Sequence, residues 1–210
     1  MVKFLPLFPL NLVAFPGEKL NLHIFEPRYK ELVNECLEDN CNFGIPAYIF
    51  NKLEGFGTEM KIIKVAKKYE DGRLDIMTEG INVFELVDYE NPLKDKLYAA
   101  GNVRILDNIL DETLDSKSVL IKNIQRLYDL LGIKTATIYS TKYLSFEVGH
   151  KVGLSIYEEY ELLQITKESE RQDFITKHLE KSIPLIMNME KTKQRIQMNG
   201  HFKHMNPLNY

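Results

Sequence analysis

One short segment, residues 23–29, carries the side chains best suited to acid–base chemistry. It reads His23-Ile24-Phe25-Glu26-Pro27-Arg28-Tyr29. A catalytic constellation built on its imidazole, carboxylate and guanidinium would also need a nucleophile and a cleft. The structural interpretation is favoured: Glu26 accepts N–H bonds at the start of a helix, and Arg28 bridges strand and loop by bidentate bonding.

Cysteines and paired glycines lack the neighbours that their chemistry requires. Cys36 and Cys41 are too few for a disulfide scaffold in a chain of this length. Two thiols without clustered histidines cannot complete a zinc site, so core packing is favoured for Cys36. Gly55 and Gly57 lack the third glycine of a dinucleotide-binding turn.

Motifs of common enzymes are absent from the sequence. No glycine is followed by lysine, which excludes the phosphate-binding loop G-x-x-x-x-G-K-[ST]. Neither H-E-x-x-H nor G-x-S-x-G occurs. His201 and His204 lie near the end of the chain, where a disordered terminus is favoured over a metal site. We therefore predict no catalytic residue, no metal site and no cofactor.

The overall composition is that of an ordinary globular protein. The 210 residues are 44% hydrophobic and 27% charged. The net charge of −3 argues against attraction of the whole molecule to nucleic acid. No apolar run of about 18 residues occurs, so a membrane span is not expected and a cytoplasmic location is predicted.

The pattern of elements changes near residue 106. Before that point lie many short β-type runs and one amphipathic helix, which begins at Pro27. The apolar stripe of this helix comprises Tyr29, Leu32, Val33, Cys36 and Leu37. We predict a partly closed barrel over 1–106, a linker over 107–118, a helical subdomain over 119–196 and a flexible tail over 197–210.

Glycines and prolines set several predicted boundaries. Residues 51–57 are predicted as a glycine-containing loop between two strands, and Gly80 is predicted to separate two further strands. Asp71-Gly72 marks the turn of a hairpin. Pro184 is predicted to kink or end the last helix, for which Thr166 is the expected N-cap.

A distinctive order of prolines, aromatic residues and charges runs through the first 29 residues. It comprises Leu5-Pro6-Leu7-Phe8-Pro9-Leu10, Val13, Phe15-Pro16-Gly17, Leu20, Leu22 and the 23–29 segment. In order and spacing this run resembles the opening of the amino-terminal domain of Lon proteases. Further similar pieces are Phe43-Gly44, Gly55-x-Gly57-Thr58, Asp71-Gly72-Arg73 and Gly80. The chain has Val83-Phe84 where the family often has Arg-Phe.

The resemblance implies an α+β fold: a PUA-like partly closed β-barrel with one amphipathic helix, followed by a C-terminal α-helical bundle. In full-length Lon enzymes this region helps to capture unfolded or tagged polypeptides and helps subunits to assemble. The implied role is recognition rather than chemistry. The sequence contains neither the ATPase motif nor the Ser-Lys protease motif of those enzymes.

These features predict a free-standing, non-catalytic polypeptide-recognition or adaptor module. Its expected partners are unfolded or tagged polypeptides and a separate protease; neither a membrane nor nucleic acid is expected, and the oligomeric state is left open. Phe50, Leu53 and Phe56 are the candidate polypeptide-binding residues, because they flank or occupy the glycine-containing loop. The alternative is that they fold back into the barrel mouth. Two other functions stay open: a peptidase-related enzyme with unrecognised catalytic residues, and an RNA-binding PUA-like protein.

Overall fold

The computed structural model describes residues 1–134 and 142–202, with side chains described as far as residue 197. Its strands are β1 (Val2–Leu7), β2 (Lys19–Ile24), β3 (Phe43–Ile49), β4 (Lys52–Lys68), β5 (Leu74–Glu90) and β6 (Ala99–Ile105). Its helices are α1 (Pro27–Glu38), α2 (Leu114–Leu131), α3 (Leu144–Val148), α4 (Ile156–Gln164) and α5 (Glu168–Phe202), with a 3-10 turn at Gly149–Lys151. Strands dominate the first half and helices the second, so the fold is α+β.

The six strands form one sheet whose pairings return on themselves. The order of hydrogen-bonded neighbours is β2-β5-β4-β3-β1-β6, and β6 also pairs with β5. Strand β5 makes this possible because its 17 residues reach β2 with the first part and β6 with the last. Strands β5, β4, β3, β1 and β6 therefore form a closed ring of pairings.

Gly80 lies inside β5, so the prediction that it separates two strands is wrong. A Cβ atom at this position would lie 2.2 Å from the carbonyl oxygen of Phe15. The Gly80 N–H donates to the carbonyl of Glu18 at 2.9 Å, and the Gly80 carbonyl accepts from Gly17 at 2.8 Å. Glycine thus permits a close approach of two backbones within a continuous strand.

The predicted loop over residues 51–57 is also wrong, because β4 begins at Lys52. Strands β3 and β4 are joined by a turn of two residues, Phe50 and Asn51, with φ of 48° and 63°. Such left-handed pairs match the twist of a hairpin. Gly57 lies within β4, where a Cβ atom would meet the Ile45 carbonyl oxygen at 2.4 Å. Close packing, rather than a loop, accounts for this glycine.

Helix α1 buries its predicted stripe, with Tyr29, Leu32, Val33 and Cys36 inside and Leu37 exposed. Helix α2 starts at Leu114, within the predicted linker. Thr113 accepts from the Ser116 N–H, and Ser116 accepts from the Thr113 N–H, so a reciprocal capping box begins the helix early.

Helix α5 continues through Pro184. The prediction that this proline ends the helix is therefore wrong. The helix extends to Phe202, past the predicted start of the tail at residue 197. Leu179 and Ile183, five residues and one residue before the proline, are buried. Their packing outweighs the one helical hydrogen bond that proline removes.

Sheet and helices share a hydrophobic core. The cluster that joins them combines Val13, Phe15, Ala47, Ile49 and Val83 from the sheet side with buried side chains of α2 to α5. The ring of Phe15 stacks on that of Phe146 at a centroid distance of 5.2 Å. This shared core holds α4 near the β3–β4 hairpin, where the candidate binding residues lie.

A buried ionic network fixes the start of α5 against α3. Arg171 and Glu168 are both fully buried. The Arg171 guanidinium donates to the Glu168 carboxylate at 2.8 Å and to the Ile165 carbonyl at 2.7 Å. The N–H and hydroxyl of Ser145 also donate to Glu168, at 2.9 Å and 2.6 Å. Because these charges are desolvated, removing one member would leave the other uncompensated.

Candidate functional site

The tip of the β3–β4 hairpin carries an exposed aromatic ring on a left-handed backbone. Phe50 has a φ of 48° and is 74% exposed. This backbone region is uncommon for a bulky residue and costs about 1–3 kcal/mol. Asn or Gly would suit the turn better. The backbone preference of the turn therefore does not account for a phenylalanine at this position.

Phe50 belongs to a small aromatic surface between the hairpin and α4. Its ring stacks on that of Tyr157, with centroids 5.3 Å apart and an interplanar angle of 15°. Tyr157 is 56% exposed, and Tyr48 at the end of β3 is 36% exposed. We call Tyr48, Phe50 and Tyr157 the aromatic surface.

A cleft of about 420 Å³ adjoins the aromatic surface. Its lining consists of Asn11, Tyr48, Ile49, Phe50, Asn51 and Ile156. Aromatic and aliphatic walls suit an apolar side chain, while the amides of Asn11 and Asn51 can hydrogen-bond to a polypeptide backbone. The cleft therefore combines apolar contact with a few polar groups.

Of the three residues predicted to bind polypeptide, Phe50 alone lies on the aromatic surface. Phe56 is half-buried, packs against the shared core and meets the Tyr160 ring edge-on at a centroid distance of 6.2 Å. Leu53 is half-buried in β4, opposite Tyr48 in the strand pairing. Phe56 thus folds back against the protein, as in the alternative interpretation of the sequence.

Helix α4, which carries Tyr157, is held by a cap and a histidine clamp. Ser155 and Glu158 form a capping box at its start. His150 bonds to Glu159 of α4 at 2.7 Å and to Glu18, just before β2, at 3.2 Å. Burial alone would lower the pKa of His150, but the hydrogen bonds and charges of these two carboxylates raise the pKa to about 9. The charged imidazole therefore ties α4 to the sheet side near neutral pH.

Tyr48 and Tyr157 were missed by the sequence analysis. The Ser155-x-x-Glu158 pattern could have placed Tyr157 in the first turn of a helix. Nothing in the linear sequence brings residue 157 beside residue 50, because that contact depends on how the helices pack on the sheet.

Two side chains of the 23–29 segment contact carboxylates. His23 contacts Asp75 of β5 at 2.5 Å, and Arg28 donates to Glu26 at 2.9 Å. Glu26 occupies the N-cap position of α1 but makes no side-chain cap bond, so the predicted capping role is wrong. Arg28 pairs with Glu26 instead of bridging strand and loop. Burial raises the pKa of the Tyr29 hydroxyl.

The histidines, cysteines and carboxylates described in the structure do not gather into a metal site. Among residues with described side chains, no group of three His, Cys, Asp or Glu could hold a metal ion. Cys36 and Cys41 are free thiols, and burial raises the pKa of Cys36. His201 and His204 lie outside the residues whose side chains are described. No helix in the described ranges is long and apolar enough to cross a membrane.

The α+β fold described above is that of Lon amino-terminal domains. The sequence profile of the ATP-dependent protease La (LON) substrate-binding domain matches residues 4–198. The chain therefore belongs to this family.

Two curated relatives share this similarity. The chain is 23% identical over 210 residues to Lon protease 1 of Hydrogenovibrio crunogenus, covering 89% of this chain and 25% of that protein. It is 24% identical over 216 residues to LON peptidase N-terminal domain and RING finger protein C14F5.10c of Schizosaccharomyces pombe, covering 80% and 43%. The chain thus spans less than half the length of either relative.

Solved structures of Lon amino-terminal domains have the same fold. The Lon N-terminal domain protein from Xanthomonas campestris matches with a TM-score of 0.66 and 24% identity, covering 81% of this chain and 95% of that one. The N-terminal domain of Mycobacterium avium complex Lon protease matches with a TM-score of 0.64 and 13% identity, covering 85% and 98%.

Proposed function

We propose that this chain binds unfolded or tagged polypeptides, without catalysis, through the aromatic surface. The observation that carries the proposal is Phe50, an exposed and stacked ring on a backbone that disfavours it. An apolar side chain of the polypeptide would enter the cleft beside Tyr157. The amides of Asn11 and Asn51 would bond to the neighbouring backbone. The description of the family as substrate-binding supports the same role.

We also propose that the chain acts as a cytoplasmic adaptor that presents polypeptides to a separate protease. The relatives support a recognition role, since one is named as a protease and the other as a RING finger protein. In such an arrangement the domain supplies binding and other parts supply chemistry.

The architecture proposed to support this function is a PUA-like barrel over residues 1–106, joined through residues 107–113 to a helical bundle that starts with α2 at Leu114. The β5–β6 pairing that completes the ring supports the barrel. The packing of α2 and α3 on α5 supports the bundle.

Replacing Phe50 with asparagine tests the aromatic surface. Asparagine tolerates the left-handed region, so Phe50→Asn should keep or raise Tm. Loss of the ring should weaken binding of fluorescein-labelled unfolded casein about fivefold or more, measured by fluorescence anisotropy. Phe25→Asn is the matched control, because Phe25 is also an exposed ring, at 58%, and lies just after the end of β2. The Phe25→Asn variant should bind casein with the affinity of the wild type.

Four outcomes would contradict the proposal. Equal affinity of Phe50→Asn and wild type would remove the aromatic surface as the contact. Absence of casein binding by the wild type would remove the function itself. Fragments of casein, with or without ATP, would favour the peptidase alternative, and a salt-sensitive gel shift with RNA in place of casein binding would favour the RNA alternative.

A further inference from the structure

The sheet has a vacant strand position between β1 and β4. Strand β3 lies between them but begins at Phe43, opposite Met60, and pairs with β1 at Leu7. Strand β1 extends back from this point to Val2, and β4 extends onward to Lys68. No strand of the described residues lies between these two extensions. We call the space between the two extensions the β1–β4 gap. Residues 40–42, which lead into β3, line its inner end. In a regular sheet, strands two positions apart are separated by about 9–10 Å, which is the width that one intervening strand fills.

Backbone bonds at both ends of β1 show which of its residues face the gap. The Ile105 N–H donates to the Met1 carbonyl at 2.9 Å, in the same register as the β1–β6 ladder. Odd-numbered residues of β1 therefore bond to β6, and even-numbered residues turn to the opposite edge. Phe8 agrees, since its N–H donates to the Gly44 carbonyl of β3 at 2.8 Å.

Val2 and Phe4 consequently direct their N–H and C=O groups into the β1–β4 gap. No strand among the described residues pairs with them there. Pro6 lies on the same edge, where its missing N–H removes no bond to β6. Two donors and two acceptors at strand spacing match the edge of an extended polypeptide.

A cavity of about 420 Å³ opens at this edge, with Phe4, Leu93 and Tyr98 among its walls. Lys3 and Glu59 form an ion pair at 2.8 Å within its lining. Burial would raise the pKa of Glu59, but hydrogen bonds from Asn42, Asn82 and Lys3 outweigh burial and lower it. The charge of this carboxylate is therefore already compensated inside the protein.

The part of β4 that extends beyond the start of β3 is strongly basic. Residues 61–68 contain four lysines and no carboxylate, and all four lysines are exposed: Lys61, Lys64, Lys67 and Lys68. Asp75 and Glu79 lie across the β4–β5 pairing, opposite Lys67 and Lys61, so Lys64 and Lys68 have no acidic residue opposite them. An anionic partner would complement this charge.

We propose that the β1–β4 gap binds an extended acidic polypeptide segment, which adds as a strand along β1. Strand β1 supplies the backbone bonds, and the β4 lysines select acidic side chains. The inference rests on the proposed function in treating polypeptide as the ligand. It uses a different surface and a different class of segment from the aromatic surface.

Two substitutions of Phe4 test whether the peptide adds as a strand. The probe is a fluorescein-labelled peptide of about ten residues that alternates Glu and Val, with an alternating Lys and Val peptide as the charge control. Phe4→Pro removes a gap-facing N–H while leaving the bonds to β6, and Phe4→Ala removes the ring but keeps that N–H. Phe4→Pro should weaken binding about three- to tenfold, and Phe4→Ala less than about twofold.

Two further variants test the contribution of charge and the independence of the β1–β4 gap from the aromatic surface. Lys64→Glu should weaken binding of the acidic peptide and reduce its salt dependence. Phe50→Asn should leave binding of the acidic peptide unchanged, so failure of this inference is distinguishable from failure of the aromatic surface. The Lys and Val peptide should bind at least tenfold more weakly than its acidic counterpart.

Hydrogen exchange on the wild-type protein gives a test that no folding defect can obscure. The amide protons of Val2 and Phe4 should exchange rapidly in the free protein and slow markedly with saturating acidic peptide. Unprotected amides at these positions would overturn the inference. So would binding that is lost in Lys64→Glu but equal in Phe4→Pro and Phe4→Ala, because the lysines alone would then be the ligand site.

Discussion

Raising the pH through about 9 should release the clamp that His150 forms between α4 and the sheet side. The imidazolium donates to Glu159 and Glu18 at once, while the neutral ring has a single N–H and must turn a lone pair toward one carboxylate. The folded-state pKa of about 9 lies above the ordinary value of 6.5. The stabilisation is therefore complete below about pH 6.5 and is lost as the pH rises through about 9.

The size of this effect follows from the pKa and the exposure of the ring. For a fully buried group, a pKa that rises from 6.5 in the unfolded state to about 9 in the folded state corresponds to about 3 kcal/mol of folded-state stability. The His150 side chain is 35% exposed, so solvent screening reduces the expected contribution to about 1–2 kcal/mol. His150→Gln retains a polar side chain without the titrating charge and should lack this pH dependence.

Urea denaturation of the two proteins between pH 6 and 10 measures the effect. The stability difference between wild type and His150→Gln should be about 1–2 kcal/mol at pH 6 and should shrink toward zero by pH 10. Each protein gives a curve of unfolding free energy against pH. Subtracting one curve from the other cancels the titrations that the two proteins share, including those of lysines and tyrosines. Parallel curves over the whole range, or an NMR-measured pKa of His150 at or below 6.5, would refute the reasoning.

Packing, buried charge and close backbone contact lead to three further predictions, each measurable by urea denaturation. Phe56→Ser should destabilise the fold by about 1–3 kcal/mol because the ring packs on the core, while Phe50→Ser should change stability by less than about 0.5 kcal/mol; equal effects would contradict this. Arg171→Ala should cost about 3–5 kcal/mol by stranding a buried carboxylate, and a loss below about 1 kcal/mol would count against the network. Gly80→Ala should cost about 2 kcal/mol or more, because its Cβ would lie 2.2 Å from a carbonyl oxygen. Gly55→Ala, with nothing within 4 Å of its Cβ, is the tolerated control.

The candidate site could be predicted only in part from the sequence. Phe50 was singled out because it borders a glycine-containing stretch, and the structure places it at an exposed turn. Phe56 was singled out for the same reason, yet it packs on the core because the stretch is a strand. Glycine permits both loops and close backbone contacts, and a linear pattern does not say which of the two applies.

The sequence by itself determined the features that depend on neighbours along the chain. The stripe on α1 follows from helical periodicity, and the prolines and aromatic residues of the first 29 residues carry the family resemblance. Tertiary structure alone decided that β5 pairs with β6, that Phe50 stacks on Tyr157, and that His150 joins Glu18 to Glu159. Each of these contacts joins segments whose separation along the chain leaves no periodic signal, so their position depends on how the whole core packs.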